Sequence, residues 1–136
     1  MSDPDQPSPR VVEQRVRNRV IEVLELTSSF ETQAEYERAV PFVNTPYEVI
    51  NGFEDWVGHD PRLDPSAMSV YSAEEVAALG EFNLAWESAA EALPDDYPPV
   101  SLAQSLPEWS RLRAAAAKAL AVFEGRGKLP EDYEAE

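Results

Sequence analysis

Ser72-AEEVAALGEFNLAWESAAEA-Leu93 is the stretch on which the fold turns. Glu75, Leu79, Phe82, Trp86, Ala89 and Leu93 recur at helical steps, with Val76, Asn83 and Ala90 beside them, so one face of a helix is marked for burial. Ser72 precedes this run and Glu75 follows three positions later, the spacing at which each side chain satisfies the other's free backbone amide at a helix start. The outer face carries Glu74, Glu81, Glu87 and Glu91 and almost no base to neutralise them. A helix built this way needs other helices against its apolar stripe, which points to an all-α fold.

The same start signal recurs at Ser28-Ser29-Phe30-Glu31, at Thr45-Pro46-Tyr47-Glu48 and at Ser105-Leu106-Pro107-Glu108. These predict a short helix that starts at the Ser28-Ser29 signal, carries Phe30 and is stopped by Pro41, a helix from Pro46 to Val57, and a last helix from Pro107 to Glu124. Proline at the first helical position loses nothing by lacking an amide hydrogen. The last helix presents Trp109, Leu112, Ala116, Ala119 or Leu120, and Phe123 to the core, and Gly125 and Gly127 follow it. In the helix from Pro46, Ile50, Phe53 and Val57 share a face with Val49 and Trp56 beside them. Gly52 in its middle costs about 1 kcal/mol against alanine, which predicts either close approach of a neighbouring helix or a bend or break in this one.

Before all of these, a first helix runs from Arg10 to Leu26 with Val12, Val16, Val20, Val23, Leu24 and Thr27 on one face. Its arginines are expected on the exposed face, Arg17 pairing with Glu13 and Arg19 with Glu22, at about 0.2 to 0.5 kcal/mol per pair. Two connections, Gly58 to Tyr71 and Pro94 to Ser105, are too long for tight helical hairpins. The expected architecture is therefore an irregular all-α bundle of four main helices plus one shorter helix, with two long loops. Residues 1–9 read as a disordered tail, 10–126 as a single domain, and 127–136 as an acidic, fraying tail that Leu129 and Tyr133 could tack down.

Charge is unevenly spread along the 136 residues. Val20 to Ser110 holds 18 carboxylates against Arg38 and Arg62, a net of −16, while the chain as a whole carries −15. Such a surface repels nucleic acid and anionic lipid, whose binding depends on lysine and arginine neutralising phosphate, so a basic protein is the natural complement. No cysteine is present, which excludes a disulfide framework, a thiolate metal site and a cysteine nucleophile. The start of the chain lacks the cationic-then-apolar pattern of a secretory signal, and no apolar run reaches membrane-spanning length. A cytoplasmic protein is expected.

Chemistry-bearing motifs are absent from the sequence. It has no phosphate-cradling glycine loop and no nucleophile elbow. The single histidine, His59, lies beside Asp60 with Asp55 and Asp64 near in sequence, but the spacing does not fit a helix-loop-helix calcium site. No enzyme activity, cofactor or metal is expected, although a catalytic use of His59 with its neighbouring carboxylates is a remote alternative. The expected function is binding of a basic protein, as an immunity protein or inhibitor of a toxin nuclease would do. Its contact residues would be Glu54, Asp55, Trp56, His59, Asp60 and Asp64 at the exit of the third helix, together with Glu74, Glu87, Asp95 and Asp96. Tyr71 and Tyr97 are aromatic candidates from the loops; the other class of function is a structural domain that forms a homo-oligomer.

Overall fold

The computed structural model describes residues 6–57 and 70–135, the side chains of Asp55, Trp56 and Val57 excepted. Among the described residues all regular structure is helical: α1 (Pro9–Thr27), α2 (Phe30–Ala39), α3 (Thr45–Val57), α4 (Ala73–Ala92), α5 (Val100–Ala103) and α6 (Pro107–Glu124). The all-α fold read from the sequence is what forms, with α5 as a single added turn inside the connection after α4. Helix α6 packs against both α4 and α1, and α1 in turn packs against α3; α2 lies on α1 and α5. Gly58 and the loop to Ser69 lie outside the described residues.

The helix starts differ in detail from the signals that announce them. Only Ser72 and Glu75 form the reciprocal pair, Ser72 Oγ accepting from the Glu75 amide and Glu75 from the Ser72 amide. At α2 the cap moves one residue on: Ser29 Oγ accepts from the Thr32 amide. At α3 the cap moves one residue back, where Asn44 Oδ1 accepts from the Tyr47 amide at 2.8 Å, and Thr45 is buried inside the helix. At α6 Leu106 occupies the cap position without a side-chain bond, and Pro107 begins the helix.

The core is continuous from α3 through α1 and α6 to α4. Val20, Ile21 and Leu24 meet Val49, Ile50 and Phe53 on one side, and Leu79, Phe82, Trp109, Leu112, Ala116 and Phe123 complete it on the other. Phe53 packs edge-on to Phe82, with ring centroids 4.8 Å apart. Both described tryptophan side chains are anchored by their indole nitrogen. Trp86 donates to the Ile50 carbonyl and Trp109 to Gln33 Oε1, at 2.8 and 2.9 Å. Val70 and Tyr71 are buried too, so Tyr71 belongs to the core and not to a contact surface.

Two helices bury polar side chains that apolar periodicity does not mark. On α2 the only fully buried residue is Gln33, whose amide donates to the Thr27 carbonyl while its oxygen accepts from Trp109. On α1 Val20, Leu24 and Thr27 are buried as the periodicity marks, but burial extends to Val11, Ile21 and the polar Gln14, Arg17 and Asn18, and Val12 is exposed. The polar members are admitted because each has a partner across the interface, the condition for burying polar atoms without loss.

Helix α3 runs unbroken through Gly52, and the neighbour expected there is α1: a Cβ on Gly52 would lie 3.4 Å from Val23 Cγ2. That is ordinary contact, so a single methyl fits. Gly52→Ala should raise stability to urea by up to about 1 kcal/mol through helix propensity, and Gly52→Leu should lower it; a destabilised alanine variant would show that Val23 cannot yield.

Candidate functional site

The electrostatic layout starts from a buried cation. Arg17, with no exposed side-chain surface, makes a two-pronged bond to Glu75, Nε to Oε1 at 3.2 Å and Nη2 to Oε2 at 2.7 Å. Its remaining prong donates to the Gly127 carbonyl at 2.7 Å, and its guanidinium lies 4.9 Å from the Phe123 ring centre. Arg126, at the end of α6, bonds the same carboxylate from the solvent side and also donates to the Val70 carbonyl. Thus the expected pairing of Arg17 with Glu13 is replaced by a pairing across the core. The guanidinium gains a bidentate partner that a residue on its own helix does not offer.

The C-terminal segment completes this arrangement. Gly127 adopts a positive φ of 70°, which lets the chain turn back along α1. Asn18 and Leu129 exchange two hydrogen bonds, and Gln14 donates to the carbonyls of Pro130 and Tyr133 while accepting from the Ala135 amide. Arg15 donates to the Glu131 carbonyl, and Arg19 forms ion pairs with Glu131 and Glu22. Lys128 also reaches Glu22. Where the sequence suggests a fraying tail, residues 127–135 lie along α1 by these bonds, held by side-chain amides four positions apart, while Tyr133 is 67% exposed. At the other end, Ser8 caps α1 and donates to Glu134.

While these bases are engaged within the fold, the carboxylates face out. Glu54, Glu74, Glu81, Glu87, Glu91, Asp95 and Asp96 are all exposed, and among them Glu81 has Lys118 at 3.0 Å. The expected contact residues do not form one patch: Glu74 stands in the first turn of α4, whereas Glu87 lies about 20 Å along the helix axis at 1.5 Å per residue, toward the Asp95–Asp96 end. Asp55 and Trp56 fall in the last turn of α3 with undescribed side chains, and His59, Asp60 and Asp64 lie outside the described residues.

Two clefts accompany the acidic surface. One, of about 480 Å³, lies between α1, α2 and α3, with Val23, Leu26 and Gly52 lining it alongside Glu22, Glu25 and Glu48. The other, of about 490 Å³, lies between the α2–α3 turn and the connection after α4, lined by Pro41, Phe42, Val43, Tyr97 and Pro99. Tyr97 and its neighbouring aspartates are candidates from the sequence, whereas Phe42 is not among them. The signal available was a phenylalanine between Pro41 and Val43, outside any helical stripe. Among the described residues no group of three or more histidine or carboxylate side chains is placed to hold a metal ion, and no helix is long and apolar enough to cross a membrane. Comparison with family models, with curated proteins and with solved structures finds no match.

The Glu75 carboxyl feels two opposed influences. Burial, the largest, pushes its pKa up, but hydrogen bonds from Arg17, Arg126 and the Ser72 amide together outweigh it and hold the pKa below the ordinary glutamate range. Glu131 is likewise held low, chiefly by the hydrogen bond from Asn18 and also by Arg19 and Arg15, against a smaller desolvation effect.

A depressed folded-state pKa means stability that is complete above the unfolded value, about 4.3, and that drains away as pH falls through the folded value. Glu75→Gln should therefore flatten the loss of stability below about pH 4.3, measured by urea denaturation across pH; an unchanged slope would contradict the ionised pairing. Glu75→Ala leaves the Arg17 guanidinium buried without its counter-ion and should cost about 3 to 5 kcal/mol at pH 7.

Proposed function

We propose that this protein is a protein-binding module that neutralises or regulates a basic protein partner. One observation carries the reading: Arg17 is fully buried against Glu75, and Arg15, Arg19, Arg126 and Lys128 are bonded to the chain itself, while Glu54, Glu74, Glu87, Asp95 and Asp96 stand exposed. The surface offered to a partner around α4 is thus rich in carboxylates, with Lys118 beside Glu81. An immunity protein or inhibitor that covers the nucleic-acid site of a toxin nuclease has this character, since that site is itself a cationic surface. Charge complementarity of this kind speeds encounter and selects the partner. The proposal places the complex in the cytoplasm, the compartment expected of the cysteine-free sequence.

A structural role through self-association is the second reading, and the exposure of Phe42, Leu84 and Leu102 favours it. Sedimentation at rising protein concentration separates the two: a stable homo-oligomer supports the structural role, a monomer the binding module.

The binding reading has its own test. The immobilised protein should retain a basic protein at low ionic strength and release it as salt rises. The triple variant Glu87→Gln, Asp95→Asn, Asp96→Asn should slow association about tenfold or more, with folding unchanged by circular dichroism. Retention that is indifferent to both salt and these substitutions would overturn the proposal.

A further inference from the structure

The groove between the α2–α3 turn and the connection after α4 has features that folding alone does not call for. Phe42 is 87% exposed, the most exposed of the large apolar side chains described. Its position does not follow from a loose turn, because the turn is tied on both sides. Asn44 Nδ2 donates to the carbonyls of Tyr97 and Pro98 at 3.1 and 3.2 Å, and its Oδ1 caps α3. Glu37 Oε2 accepts from the Val100 amide at 2.9 Å, fixing the far wall to α2. Tyr97 is further held edge-on by Tyr47, with ring centroids 5.2 Å apart. An aromatic surface is therefore presented on a fixed frame, which lowers the ordering cost of binding.

The chain around the groove is acidic. Glu37 lines the groove, and the segments that form its walls, 37–44 and 94–100, carry Glu37, Asp95 and Asp96 against Arg38. Aromatic rings beside surplus carboxylate suit a cation that is planar, weakly hydrated and able to stack. Arginine meets those requirements, while the compact, strongly hydrated ammonium of lysine does not.

We propose that this groove docks an arginine side chain of the basic partner, its guanidinium over Phe42 and its charge toward Asp95 and Asp96. The proposal rests on the binding reading above and names where and by which residue the partner is held.

The test uses three capped octapeptides in which glycine alternates with arginine, lysine or glutamate. Each is titrated at low ionic strength into isotope-labelled full-length protein followed by amide NMR. The arginine peptide should shift amides at 42–44 and 95–97 and bind about threefold or more tighter than the lysine peptide. Phe42→Ala, at an exposed position, should remove that preference, and the glutamate peptide should give no response. Equal arginine and lysine affinities, or a preference that survives Phe42→Ala, would overturn the groove assignment. So would concentration-dependent shifts at 42–44 without peptide, which would give the groove to a second copy of the chain. If salt-sensitive capture of a basic protein persists in those cases, the binding reading stands without the groove; if capture is lost as well, both fall.

Discussion

Arg17 and Glu75 form the contact on which the rest depends. Two unit charges removed from water are costly, and the cost is offset only when geometry and further hydrogen bonds are good. Here one carboxylate collects both prongs of Arg17, a bond from each of two Arg126 nitrogens, and the Ser72 amide that it caps. The third prong of Arg17 reaches Gly127, and its flat face rests on Phe123. A single ion pair thereby joins α1, the start of α4, the end of α6 and the turn into the C-terminal segment. The apolar stripes of α4 and α6 drive these helices together, but the registry of α1 against them depends on this pair.

From that pairing follows the distribution of charge. The bases of α1 are drawn toward the core, where Arg17 meets Glu75, and toward the returning C-terminal segment, so they do not balance the exposed carboxylates of α4 and the connection after it. Acidity confined to solubility would need no such separation. The proposed role in binding a cationic protein surface uses it directly, and the groove at Phe42 adds an apolar anchor to what would otherwise be a diffuse field. Electrostatic attraction over a broad face steers encounter, while a few desolvated aromatic contacts determine how long a complex persists.

Much of this fold can be read from local sequence, because α4 and α6 obey helical periodicity and Ser72–Glu75 forms its reciprocal cap as spaced. The failures have a common physical origin. Periodicity counts apolar residues, so it places Arg17 outside; nothing within α1 reveals that its partner is 58 positions away. Likewise Gln33 is buried because Trp109 and Thr27 supply its partners, and Ser29 and Asn44 displace Ser28 and Thr45 as caps by shifts of one residue. The acidic surface was legible from composition. The groove was not, since its two walls come from segments about 50 residues apart that the Asn44 and Glu37 bonds and the Tyr47–Tyr97 contact bring together.

The most direct test of the claim that the bases turn inward is hydrogen exchange at the arginine Nε–H groups, resolved by NMR. Arg17 should show a strongly slowed Nε–H with contacts to the Phe123 ring protons, while Arg38 and Arg111, both on exposed helix faces, exchange as in free arginine. An Arg17 signal that exchanges as fast as theirs would contradict the buried pair, and with it the outward surplus of acid on which the functional reading stands.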